Sequence, residues 1–222
     1  MKVLHISDSH SFHNLINVPY DVDCIIHSGD STNYNDTRNI AEMLDFLEWF
    51  GNIKFPWKIY VPGNHDWSLA HDESMAQRFS DLGIYLLINQ EVILGGTKFY
   101  GTPYTPIFGQ WSFMRARHKM EFIWNQVPDD TNVLITHGPP KGILDITEDY
   151  DRRLLHVGCG AMMHKIESLG LLTHCLFGHV HDNHDELNGG ILIRDGITYS
   201  NGSLVKDGQF GHLVHQGNIL EI

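Results

Sequence analysis

Basic residues and cysteines are scarce in this sequence. Fifteen Lys and Arg stand against 27 Asp and Glu, a formal net charge of −12 at pH 7. Surfaces that track a nucleic-acid backbone are basic, so a long duplex is not an expected partner. Bound cations would still make one cleft locally positive. Cys24, Cys159 and Cys175 are odd in number and lack paired metal-ligand spacing. That pattern disfavours a cysteine-built metal site or a disulfide framework and predicts small buried thiols in a reduced, cytoplasmic protein. No apolar run approaches the roughly 18 residues that span a bilayer, so no membrane partner is expected. The first residues reach the polar Asp8 too soon for a secretory leader. Also missing are a Pro/Ser-rich linker, a charge block, a low-complexity tract and a repeat. Residues 1–222 therefore read as a single domain, and 42% hydrophobic residues can build its core.

What is present is a set of five short polar motifs, each after an apolar run. They are Asp8-Ser9-His10, Gly29-Asp30, Gly63-Asn64-His65-Asp66, His137-Gly138 and Gly178-His179-Val180-His181. The runs before them are Val3-Leu4-His5-Ile6, Cys24-Ile25-Ile26, Lys58-Ile59-Tyr60-Val61, Val133-Leu134-Ile135-Thr136 and Cys175-Leu176-Phe177. Each is short, rich in β-branched or aromatic residues and closed by a polar or glycine turn, which predicts a buried strand. Ile40, Met43, Leu44 and Leu47 recur at helical spacing between the second and third runs, predicting a helix over 40–50. Further helices are expected over 74–82, stopped by Gly83, over 113–126 and over 159–169. Residues 91–94 and 98–100 read as a hairpin, and 191–222 as antiparallel strands with turns at Asp195-Gly196, Asp207-Gly208 and Gly217-Asn218. Mixed sheets with helices outside follow.

Open sheets with parallel strands place ligands beyond the carboxyl ends of the strands, where all five motifs sit. Together the motifs supply carboxylates, an amide oxygen and several imidazoles, a donor set for two borderline divalent ions. Asp8 and His10 are two apart and on extended backbone would project to one side. That pair suits Zn²⁺, Mn²⁺ or Fe²⁺ rather than the oxygen-seeking Ca²⁺. Asp30 could bridge two ions, and bending could send His179 and His181 to different ones. Two ions about 3.5–4 Å apart can activate water and stabilise an in-line displacement at phosphorus without a serine or cysteine nucleophile.

These motifs resemble the calcineurin-like metallophosphoesterases, whose pattern is Asp-x-His, Gly-Asp, Gly-Asn-His-Asp/Glu, His and Gly-His-x-His. The match covers roughly residues 1–205 and implies an α/β fold, a four-layer α-β-β-α sandwich with two mixed sheets. It implies that Asp8, His10 and His181 hold one metal, that Asn64, His137 and His179 hold the other, and that Asp30 bridges them. His65 would face the substrate and donate to a phosphoryl oxygen or the leaving group, with Asp66 orienting its ring. The ions would be two divalent transition metals, Mn foremost, with Fe, Zn, Co or Ni also accepted.

Gly101-Thr102-Pro103, Phe108-Gly109-Gln110-Trp111-Ser112-Phe113, Thr136-His137-Gly138-Pro139-Pro140 and His156-Val157-Gly158-Cys159 are similar to a narrower group, the small metallophosphoesterase-domain-containing proteins. That likeness implies a phosphodiesterase for small substrates, cyclic or linear nucleotides. The sequence departs from the group at Asp182-Asn183-His184-Asp185, where a glycine-rich stretch is expected. A phosphomonoesterase or protein phosphatase is the alternative. The Gly-Asp-x-x-Asp-Arg-Gly of those phosphatases is absent, since Ser31-Thr32-Asn33-Tyr34 follows Asp30 without an arginine. A DNA nuclease fits the acidic charge less well, and an eroded, non-enzymatic scaffold would have lost ligands that are all present here.

Among the sixteen histidines, His5 and His27 read as hydrogen-bonded core residues and His156 as a structural partner of Asp145. His13 could line the substrate cleft. Trp111 either stacks on a nucleobase or packs on the helix it introduces.

Overall fold

The computed structural model describes residues 1–149, 151–182, 187–206 and 211–222. One sheet contains β1 (Lys2–Ile6), β2 (Cys24–His27), β3 (Trp57–Tyr60), β4 (Tyr85–Leu86) and β17 (Asn218–Glu221), in the order β17-β1-β2-β3-β4. The other contains β5 (Gln90–Leu94), β6 (Thr97–Thr102), β9 (Val133–Thr136), β12 (His174–Phe177), β13 (Gly190–Arg194) and β14 (Ile197–Asn201), in the order β13-β14-β12-β9-β6-β5. Strands β1 to β4 are parallel and β17 runs antiparallel on the edge. In the second sheet β6, β9, β12 and β14 are parallel, with antiparallel β5 and β13 at the edges. Among the described residues, three two-stranded ribbons complete the strands: β7 (Thr105–Pro106) with β8 (Met114–Arg115), β10 (Ile146–Glu148) with β11 (Leu154–His156), and β15 (Val205–Lys206) with β16 (His212–Leu213).

Alternation along the strands builds three cores. Val3, Ile26, Ile59, Val133, Ile135 and Leu176 point between the sheets. Their neighbours Leu4, Ile25 and Tyr60 point outward to meet Met43, Phe46 and Phe50 of α1 (Asn39–Asn52) and Phe79 of α3 (Glu73–Asp81). Leu134, Cys175 and Phe177 likewise meet Trp124 of α4 (Met120–Trp124) and Met162 and Ile166 of α5 (Gly160–Ser168). Each such side chain stabilises the fold by about 1.5–3 kcal/mol when fully buried. Helix, sheet, sheet and helix are therefore stacked, the four-layer sandwich with two mixed sheets that the resemblance implies. All three cysteines are buried and unbridged.

Two expectations differ from this fold. The helix expected over 113–126 shrinks to α4, because Phe113 has φ 52° and Ala116 is extended at ψ 140°. That broken backbone lets Met114 and Arg115 pair with Thr105 and Pro106 instead. The strands after residue 190 are not one antiparallel set: β14 is parallel to β12, and β17 crosses to the first sheet. The Asp207-Gly208 turn lies outside the described residues, as do Asn183, His184 and Asp185 of the departing stretch. A short helix, α2 (Trp67–His71), follows Asp66 without having been anticipated.

Candidate metal centre

Strands β1, β2 and β3 deliver Asp8, Asp30 and Asn64 just past their carboxyl ends, and β9 and β12 deliver His137, His179 and His181. The backbone there is not extended. Asp8, His10, Asp30 and His179 have φ of 50°, 41°, 57° and 69°, the left-handed region that costs a non-glycine residue energy. Asp8 and His10 are therefore brought together by a coiled loop and not by strand alternation. The Asp8 amide donates to Gly29 (2.8 Å), and the His10 amide to the Asp30 carbonyl (3.1 Å), which ties the first two motifs together. Gly63 and Gly178 permit the closest approaches. A Cβ at Gly63 would overlap Asp30 Oδ1, and one at Gly178 would overlap Asp8 Oδ2.

Two ligand groups result. Asp8, His10 and His181 form one, and Asp30, His137 and His179 the other, with the ligand atoms of each group within 4.8 Å of one another. Each group draws from both sheets. Asp8 Oδ1 lies 3.1 Å from His181 Nε2, and Asp8 Oδ2 accepts the His179 amide at 2.8 Å. His137 Nε2 is 3.2 Å from Asp30 Oδ2 and 3.0 Å from the Asn64 side-chain oxygen. Its Nδ1 donates to the Ser28 carbonyl at 2.9 Å, which turns the Nε2 lone pair toward those two oxygens.

His137 Nε2, Asp30 Oδ2 and the Asn64 oxygen are thus drawn together, a cluster that a proton on His137 or a bound cation can hold. Burial opposes a charged His137, but the Asp30 carboxylate outweighs it and raises the pKa to about 9. Burial lowers His10 to about 4 and His179 to about 3, so both present neutral, ligand-competent rings. Asp30 stays ionised despite burial, because His137 and His65 hold its pKa well below the usual carboxylate range. The Nε2 of His10 is buried with no hydrogen-bond partner among the described residues. No Lys or Arg pairs with Asp8 or Asp30 among them either. Buried carboxylates, neutral imidazoles and an orphaned nitrogen fit a pair of divalent ions.

His65 stands beside these groups. Its amide donates to Asp30 Oδ1 (2.7 Å), its Nδ1 bonds the Asn33 carbonyl (2.9 Å), and its ring meets that of His10 at 5.0 Å. Trp111 packs on it at 4.1 Å between centroids, and Phe108 covers His179 at 5.1 Å. Trp111 is thus seated at the rim of the centre, on a catalytic candidate and not on α4.

Two assignments need correction. Asp66 does not orient the His65 ring, which the Asn33 carbonyl holds. Its carboxylate instead accepts from the amides of Asp30, Ser31 and Gly63 and the hydroxyls of Ser31, Thr32 and Tyr60, at 2.7–3.1 Å. Burial and the Asp30 charge raise its pKa, while the Gly63, Tyr60 and Thr32 bonds pull it down. His13 does not line a cleft. It is fully buried behind α1 against Phe46 and Trp49, with Nε2 3.1 Å from Asp45. Asn33 was missed. Its side-chain oxygen lies 3.1 Å from His10 Nδ1, and no motif marks it. The remaining histidine readings agree: His5 bonds Ser200 and Ser28, His27 bonds Ser9, and His156 lies 2.6 Å from Asp145.

A family model for calcineurin-like phosphoesterases matches residues 1–183. The chain belongs to that family. Membership implies a metal-dependent phosphoester hydrolase. Among curated relatives, a UPF0046 protein of Caenorhabditis elegans is 34% identical over 86% of this chain. The human metallophosphoesterase domain-containing protein 1 is 30% identical over 90% of it. The chain spans 67% and 64% of the lengths of those two relatives. A phosphopantetheinyl hydrolase from Mycobacterium tuberculosis shares the fold at a TM-score of 0.55 and 14% identity, covering 94% of this chain and 91% of that one. A 5'-nucleotidase precursor from Thermus thermophilus aligns at 0.50 and 12%, over 99% and 54%. At those identities the likeness is one of fold. No helix among the described residues is long and apolar enough to cross a membrane.

Proposed function

We propose that the chain is a dinuclear-metal-dependent phosphodiesterase for small phosphodiesters, cyclic and linear nucleotides among them. The observation that carries this reading is the pair of adjacent ligand groups, Asp8/His10/His181 and Asp30/His137/His179, with His65 beside them and held at both its amide and its ring. Two bound divalent ions, Mn²⁺ in the first instance, would polarise the phosphoryl oxygens and supply an activated water at neutral pH. Asp8, His10 and His181 would hold one ion, and Asn64, His137 and His179 the other, with Asp30 shared.

The protein's own residues do the rest. Left-handed turns at Asp8, His10 and Asp30 aim the ligands before any ion arrives. With Nδ1 bonded to the Asn33 carbonyl, the His65 ring leaves Nε2 to give a proton to the departing ester oxygen. Charge favours a diester over a monoester. The monoester dianion calls for an extra cation, and no arginine follows Asp30. Arg117 borders the site, but its two terminal nitrogens donate to the carbonyls of Gly158 and Val157.

The test is hydrolysis by the Mn²⁺-loaded protein of a diester, its matching monoester and single-stranded DNA, with Asp30→Ala and His179→Ala alongside. The diester should be cleaved fastest, and either variant should lose activity together with bound Mn²⁺. Faster cleavage of the monoester or DNA, or full activity in the variants, would refute the proposal.

A further inference from the structure

A cavity of about 350 Å³ opens directly beside His179 and His181. Its apolar walls come from Ile107, Phe108, Pro139, Ile146, Val157 and Val180, segments far apart in sequence. Thr147 and Arg117 add a polar edge. Neither His65 nor Trp111 contributes to its described walls.

A series of ring contacts links the rim to the ligands. Trp111 packs on His65, His65 meets His10 at 5.0 Å, and His10 meets His181 at 5.2 Å. The cavity borders His179 and His181 and not His65. We infer that, for an acyclic diester, this cleft receives the ester group that stays on phosphorus, and that it favours a group presenting an apolar, uncharged face of aryl size or larger. The inference rests on the phosphodiesterase reading and deepens it.

The argument starts from the bonds that change. Water's oxygen bonds to phosphorus, and the ester bond on the His65 side breaks. The departing oxygen takes a proton from His65, which water's own proton replaces. The second ester bond is untouched, so the group it carries lies off the line between water and the departing oxygen, and the cavity beside His179 and His181 is lined mainly by carbon. A monoesterase would have no group to place there.

The cleft is also built, not incidental. Arg117 staples its wall to the floor through Nη1 to the Gly158 carbonyl (3.1 Å) and Nη2 to the Val157 carbonyl (2.8 Å). Beneath that floor, the fully buried Asp145 accepts the amides of Gly142 (3.0 Å) and Gly158 (2.9 Å). Phe108 lies 61% exposed across the mouth with its ring against His179, so one loop residue touches both the centre and the cleft.

Two diesters with one leaving group isolate the retained group: bis(4-nitrophenyl) phosphate and methyl 4-nitrophenyl phosphate. The readout is the ratio of their kcat/KM values, in the Mn²⁺-loaded protein and in two variants. Dividing each variant's ratio by that of the unaltered protein cancels their intrinsic difference in reactivity. Val157→Ala, which thins the wall, should lower the ratio by about tenfold, the discrimination that a few apolar contacts provide. Ile107→Trp, at an exposed position and filling the cleft, should lower it at least as far, with the methyl ester the less affected substrate. A ratio that neither variant changes would overturn the subsite while leaving phosphodiester hydrolysis standing, as would equal losses on both substrates. Hydrolysis of neither diester, with a monoester cleaved, would instead sink the underlying reading.

Discussion

Asp66 and Asp145 are each fully buried, and neither is in the two ligand groups, yet they organise different parts of the molecule. Asp66 takes bonds from the amides of Asp30 and Gly63, next to or within the metal-binding motifs. Asp145 takes bonds from Gly142 and Gly158 and pairs with the exposed His156, all around the cleft floor. The chemistry of the two carboxylates is the same: each satisfies backbone amides that would otherwise be buried without partners. Their consequences differ because of what the pinned backbone carries. One loop set carries ligands, where a small shift removes a metal. The other carries apolar walls, where a shift alters which ester fits.

The largest effect that could break this contrast is at Asp66. Asp66→Ala leaves three amides without their acceptor and takes one bond from each of three hydroxyls, and should cost about 3–5 kcal/mol of stability. Chemical unfolding with elemental analysis would read it, and bound Mn²⁺ should fall with stability. A variant that kept its metal would remove Asp66 from the assembly of the centre. His65→Ala, on the same loop, should separate assembly from chemistry. Metal content should hold while kcat drops about 10²–10⁴-fold, the usual contribution of a positioned acid. Metal loss there would make His65 a ligand.

Asp145→Asn should be milder. It keeps an acceptor oxygen but weakens three charge-assisted contacts, those to the Gly142 and Gly158 amides and to His156, so about 1–3 kcal/mol of stability is expected, with Mn²⁺ retained and the diester ratio altered. Lost metal would erase the distinction between the two carboxylates. The smallest functional effect belongs to His13. His13→Ala should cost about 1–3 kcal/mol through lost packing on Phe46 and Trp49 and leave KM unchanged for either diester. A raised KM would return His13 to the cleft.

Most of the ligand set was legible because its signals are local. An apolar run of three or four residues closed by a motif such as Gly-Asp or Gly-Asn-His-Asp announces a strand end, and β1, β2, β3, β9 and β12 lie where those runs predict. The helix over 40–50 was visible for the same reason, since its buried face recurs every turn. Asn33 was not legible, because an asparagine in a polar loop carries no pattern of its own. Its value comes from lying within reach of His10 and His65, whose motifs are 23 and 32 residues distant. His13 misled for the complementary reason: proximity to Asp8-Ser9-His10 in sequence suggested the site, and the turn after Ser11 carried it behind α1 instead.

By itself, the sequence determined which side chains are available and that they end buried strands, since alternation and turn chemistry act over a few residues. The resemblance implied that His179 and His181 part company, but the tertiary structure supplied the means, a left-handed turn at His179 that leaves that ring near Asp30 while His181, two residues on, joins Asp8. The tertiary structure alone decided that Asp66 serves backbone amides and not an imidazole, and that a carbon-lined cavity opens next to His181. These outcomes depend on how two sheets, packed through Val3, Ile26, Val133 and Leu176, bring their rims together. Contacts between residues more than a hundred positions apart leave no trace in any short window of sequence.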